Sequence, residues 1–171
     1  MLSILFASIS VAAQGMVAST AASGRLAEAR SIAKRLVELA VAMAAIVMTL
    51  IWLPRAYLVT CFSPSPAVQQ AALACWWILV VGVLPDGVAS AQEGVMLGAG
   101  QHKLVALTTV MSCVVACGLT LLFFQRSASM VAVWGGLRFI SLGRFLGSLG
   151  LLAHPSSPLR AKAPAPATAT T

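Results

Sequence analysis

LPDGVASAQEGVMLGAGQHK, residues 84–103, decides how the rest of the chain is read. It follows a run from 56 to 85 without a charged residue, yet carries Asp86 and Glu93, two of the four acids in the chain. It then passes Gly94, Gly98 and Gly100 and closes on His102 and Lys103. An acid where an apolar helix nears the membrane surface is expensive to place and points to ion or substrate handling. The same letters also fit a helix that has left the bilayer, with solvated acids and a glycine-rich turn. Glycines serve either reading, since they permit tight turns and close approach of neighbouring helices.

Composition makes the surrounding medium lipid. Of 171 residues, 60% are hydrophobic and 9% charged, where soluble domains carry about 25% charged residues; mean hydropathy is +0.95. The net charge of +7 does not indicate nucleic acid, because no basic stripe interleaves with aromatics and the positive residues fall between apolar runs. That is the pattern of membrane topology. Cys61, Cys75, Cys113 and Cys117 form no CxxC pair and, with His102 and His154, no zinc spacing. Cys113 and Cys117 share a helix face as small packing residues. Neither HExxH nor G-x-S-x-G occurs and no histidines pair, so neither an enzyme nor a cofactor is expected.

The apolar runs predict an all-α membrane protein of about five transmembrane helices, at 3–22, 36–53, 67–84 or beyond, 104–124 and 130–149. Gln14, in the first, is a packing hydrogen-bond donor or a polar cavity residue, with packing preferred. GRLAEARSIAKR (24–35) is either an interfacial piece or, preferably, the opening turns of the second helix. Glu38 can pair with Lys34 one turn earlier. Pro54 ends the second helix, and Ser65 is placed to cap a helix that starts near Pro66. Pro85 is expected to kink the third helix. Arg138 and Arg144 interrupt the last helix. Snorkelling accounts for Arg144, whereas Arg138 is expected at the depth of Asp86 and able to pair with it. The membrane domain is therefore 1–152, followed by a Pro/Ala/Thr-rich tail, 153–171, too poor in large apolar residues to fold. Eight basic residues fall on one side of this topology and only Arg55 and Arg126 on the other, which puts the N-terminus outside.

Several stretches, in order, resemble the C-terminal lobe of the multidrug and toxic compound extrusion (MATE) transporters, especially the DinF-like branch. ISVAAQGMVASTAASGRLAEAR looks like that family's eighth helix and basic loop, and LVTCFSPSPAV is similar to the stretch before its tenth. EGVMLGAGQHKLVAL resembles the segment joining the tenth and eleventh helices, with Glu93 standing for the family's aspartate. VAVWGGLRFISLGRFLG is similar to the twelfth, with Arg144 where many eukaryotic members carry an arginine; Arg138 departs from the pattern.

The resemblance implies part of one lobe of a two-lobed antiporter that exchanges an organic solute or drug for a proton or sodium ion. Asp86 and Glu93 are then the candidate ion- or substrate-binding residues. Asp86 stands eight positions before Gly94, where the NorM-like branch carries an acid implicated in cation coupling. The partners implied are the lipid bilayer, a small solute, the coupling ion, and a missing N-terminal lobe or second chain. The expected location is an integral membrane, either a plastid envelope or the plasma membrane. The competing reading is a non-transporting truncated remnant or an accessory membrane protein.

Overall fold

The computed structural model describes residues 2–126 and 129–153, and all its regular elements are helices: α1 (Leu2–Ala22), α2 (Leu26–Trp52), α3 (Arg55–Phe62), α4 (Pro66–Gly98), α5 (His102–Arg126) and α6 (Met130–Ala153). The expected tail lies outside the described residues apart from Ala153, which closes α6. Four helices, α1, α2, α4 and α5, are long and apolar enough to cross a membrane. α6 falls short on composition because it carries Arg138 and Arg144, both of which are neutralised inside the bundle.

The basic stretch 24–35 is not a separate surface piece. Gly24 takes φ +75°, and the amides of Gly24 and Arg25 close onto the carbonyls of Ala21 and Thr20. α2 then begins at once at Leu26. The same pair of turn bonds ends α4, where Gly100 has φ +78° and Gly100 and Gln101 donate to Leu97 and Met96. Both ends are glycine-terminated turns that satisfy the orphan carbonyls of a helix C-terminus. Lys34 and Glu38 pair as expected, at 3.7 Å and largely exposed.

Two expectations about the connections need correction. Residues 55–62 form a helix of their own, α3, because RAYLVTCF holds no breaker between Pro54 and Pro64. Ser65 does sit at the N-cap of α4, but its side chain makes no capping bond. Instead its amide donates to the Ser63 hydroxyl at 3.3 Å, and Gln69 Nε2 donates to the Ser63 carbonyl at 2.8 Å.

Of the two readings of residues 84–103, a helix that continues past Leu84 is the one observed: α4 runs 33 residues, through Pro85, to Gly98. At ~1.5 Å per residue it is roughly 50 Å long, with Asp86 about 18 Å and Glu93 about 8 Å from its C-terminal end. Both acids therefore belong to the helix and not to a solvated loop.

α4 is the hub of the bundle, packed by α1, α2 and α6 and more lightly by α3 and α5. Its glycines set the distance to α1. A Cβ at Gly94 would strike the Ser10 carbonyl, one at Gly98 would lie 2.7 Å from the Gln14 carbonyl oxygen, and one at Gly87 2.8 Å from the Phe6 ring. Those contacts run in step, so α1 and α4 are parallel. Ala44 beside Gly87 and Leu36 clustered with Val95 make α2 antiparallel to them. Phe6, Ala44, Val47 and Val83 fill one end of this three-helix seam, and Ala13, Val17, Ala29, Leu36 and Val95 the other. α6 lies on the far side of α4, with α5 antiparallel against it, Gly143 over Ser112 and Gly147 over Thr108. The start of α2 and the α4–α5 turn thus share one end of the bundle, with Arg25, Arg30, Lys34, Arg35 and Lys103. Arg55 stands at the other, as the charge asymmetry requires.

Candidate functional site: a charged groove along α4

Leu79, Val83, Asp86, Ser90, Glu93 and Leu97 recur every three or four residues and so form one stripe along α4. With Phe6, Ser10 and Gln14 of α1 and Arg138 and Arg144 of α6, this stripe lines a groove of about 560 Å³. The seven-residue step from Asp86 to Glu93 stacks both carboxylates on the same face, two turns apart. Arg138 and Arg144 are six apart, which does not align them, so the two long side chains reach the stripe from different sides of α6.

Each acid has its own arginine, but the two pairs differ. Glu93 is held by a two-point fork, Arg144 Nε to Oε1 at 2.8 Å and Nη2 to Oε2 at 2.5 Å. Asp86 accepts a single bond, to Oδ2 from Arg138 Nη1 at 2.7 Å. Glu93 is 13% exposed and Arg144 27%, whereas Asp86 and Arg138 are 30% and 25% exposed. A parallel guanidinium–carboxylate fork is the stronger and more specific arrangement. Next to it, the Ser148 hydroxyl donates to Gln92 Oε1 at 2.5 Å, with both residues buried. The lower pair is thus locked between α4 and α6, and the upper pair has one carboxylate oxygen to spare.

The expected Asp86–Arg138 pair is present. The snorkelling of Arg144 is not, because a partner lies within reach at the same depth. A signal existed in the sequence, since in parallel helices the steps 86–93 and 138–144 rise by nearly the same amount and offer two matched rungs. Gln92–Ser148 had no comparable signal. Gln14 lines the groove and makes no side-chain hydrogen bond among the described residues, so it is a cavity residue and not a packing donor. No group of three metal-ligating side chains occurs among the described residues.

Chemically, the groove presents two neutralised carboxylates, unspent amide and hydroxyl groups at Gln14 and Ser10, and apolar walls. A cation or proton that binds such a site competes with an arginine for the charge of a carboxylate. Asp86, held at one point, is the easier of the two to release.

The MatE family model matches residues 1–122, from α1 through most of α5, so α6 and its arginines lie beyond the matched region. No curated protein and no solved structure matches the chain. A match over more than two thirds of the 171 residues, on a helical bundle built to sit in lipid, identifies the chain as a member of the MatE family of MATE-type transporters.

Proposed function

We propose that the chain is part of a solute:cation antiporter, contributing the region of helices eight to twelve in the C-terminal lobe of a DinF-like MATE protein. The observation that carries the proposal is the unequal pairing in the groove: Asp86 on one bond beside Glu93 on a fork. In the cycle we infer, a proton or sodium ion displaces Arg138 from Asp86. The freed guanidinium and the altered charge of the groove then change its affinity for an organic solute. Glu93 and Arg144 hold α4 to α6 throughout. Alternating access needs two bundles that rock about a site between them, and the groove on α1, α4 and α6 is one wall of such a site. A second lobe, from the same polypeptide or from another chain, supplies the other wall. The family and charge pattern fit an integral membrane, with a plastid envelope or the plasma membrane as the proposed locations.

The test is flux in proteoliposomes containing the transporter with both lobes, driven by a proton or a sodium gradient, with an organic cation dye as probe. Asp86→Asn is expected to abolish gradient-driven export while leaving dye binding within a few-fold. Unchanged antiport in that variant would remove Asp86 from the mechanism. Absence of flux under both gradients in the unsubstituted protein would favour the non-transporting alternative.

A further inference from the structure

A second groove opens between α4, α5 and α6, on the opposite side of Arg138 from the charged one. Its volume is about 480 Å³, within the range of small-molecule sites, about 300–1,000 Å³. Trp77, Val81, Phe123, Phe139 and Leu142 supply apolar walls, and Phe123 and Phe139 are stacked 6.0 Å apart. Among the described residues Arg138 is the one ionisable side chain that lines it, and it lines the charged groove as well. Gly82 makes this possible. A Cβ there would lie 2.5 Å from Arg138 Cδ and Nε, so the guanidinium crosses α4 in the notch that the glycine leaves.

What Arg138 does with its donors is the informative point. A guanidinium has five N–H groups. Nη1 donates to Asp86 and Nη2 makes a long contact of 3.4 Å with the Leu79 carbonyl. Nε and the remaining protons have no partner among the described residues. Arg144, by contrast, commits Nε and Nη2 to one carboxylate. The Arg138 side chain is 25% exposed, so these unspent donors are open to an acceptor that enters the groove.

We propose that the α4–α5–α6 groove binds a single-chain amphiphile with a carboxylate head, the head resting on the free edge of Arg138 and the apolar body lying among Trp77, Phe123, Phe139 and Leu142. A carboxylate matches the planar fork that Nε and Nη2 present. A cationic amphiphile finds no acid on this side, because Asp86 lines the other groove. The volume suits one chain or a small ring system, not a two-chain lipid. The site needs only the folded chain and does not depend on the antiport reading.

The test is quenching of tryptophan fluorescence in nanodiscs of zwitterionic lipid, with dibromostearic acid as probe and its methyl ester as the neutral comparison, at a pH where the acid is ionised. The acid is expected to quench at about tenfold lower mole fraction than the ester, the size of one charge-assisted bond. Trp77→Phe should remove most of that extra quenching, and Arg138→Gln should abolish the advantage of the acid. Asp86→Asn should enlarge it several-fold, because the guanidinium is no longer shared. This opposite sign decides the matter even if Arg138→Gln fails to fold. Equal quenching by acid and ester would overturn the site, as would an unchanged or smaller advantage in Asp86→Asn. An equal advantage for a brominated two-chain anionic lipid would also overturn it, since that outcome assigns the effect to surface charge.

Discussion

Helix α4 meets its neighbours through two unlike seams. Toward α1 and α2 it offers Gly87, Gly94 and Gly98, and backbone lies against backbone or against Phe6, Ala44 and Val17. Toward α6 it offers Asp86, Gln92 and Glu93, each holding a polar partner. Lipid supplies no hydrophobic drive between helices, so association depends on close packing and on polar bonds. The first seam uses only packing and tolerates no change of shape. The second uses polar side chains: a fork at Glu93, a buried bond at Gln92 and a single bond at Asp86. α4 is thus fixed by close packing on one side and by polar side-chain bonds on the other. Asp86 and Glu93 both lie on the side facing α6.

The sharpest way to break that contrast is to add one methyl group. Gly94→Ala would drive its Cβ into the Ser10 carbonyl and to 2.9 Å from the carbon atoms behind it, none of which can swing aside. α1 and α4 must separate, which opens the cluster of Ala13, Val17 and Val95. The expected loss is roughly 3 kcal/mol or more, read as a lowered midpoint of thermal unfolding in detergent by circular dichroism. Gly118→Ala is the control, since nothing lies within 4 Å of its added Cβ and alanine favours helix over glycine. Equal unfolding midpoints for the two variants would show that the seam is not set by close approach.

The locked pair comes next in size. Glu93→Gln leaves Arg144 in a mostly buried position without a counter-charge, at a cost of about 3 kcal/mol, the low end for buried pairs because some exposure remains. Glu93→Gln combined with Arg144→Met should be less destabilised than Glu93→Gln alone, because the stranded charge has gone. A double variant as unstable as the sum of its parts would mean that the two residues act separately.

How far the chain could be read in advance follows the same division. Apolar runs and glycine stops placed the helices well, because lipid forces backbone groups to bond within the helix and so enforces the pattern. The end of α4 stays open in the sequence because Pro85 and two acids also look like an exit from the membrane. In fact α1 and α6 flank that segment and satisfy it, which is information from elsewhere in the chain. Arg138–Asp86 could be found by matching depth along two helices. Arg144–Glu93 needed the further step of treating the two helices as parallel and in register. Gln92–Ser148 and the Gly82 notch were illegible, since they depend on the rotation of α6 about its own axis, which no periodicity in a nearly all-apolar helix records. The short α3 was masked by the prolines on either side of it.

The smallest effect on stability is expected at the upper pair, and there the two seams can be compared most finely. Asp86 and Arg138 share one bond, and each keeps about a quarter of its side chain or more exposed. Asp86→Asn should therefore cost about 1 kcal/mol, well below Glu93→Gln in the same unfolding measurement. The swap Asp86→Arg with Arg138→Asp should not recover the loss fully, because the notch at Gly82 fits a guanidinium arriving from α6 and not one leaving α4. Partial rescue above either single reversal would establish the electrostatic contact and leave the shape term visible as the remainder. Complete rescue would mean that the notch contributes nothing. Absence of any rescue would show that the pair does not interact in the membrane, and the polar seam would then reduce to Glu93, Arg144 and their hydrogen-bonded neighbours.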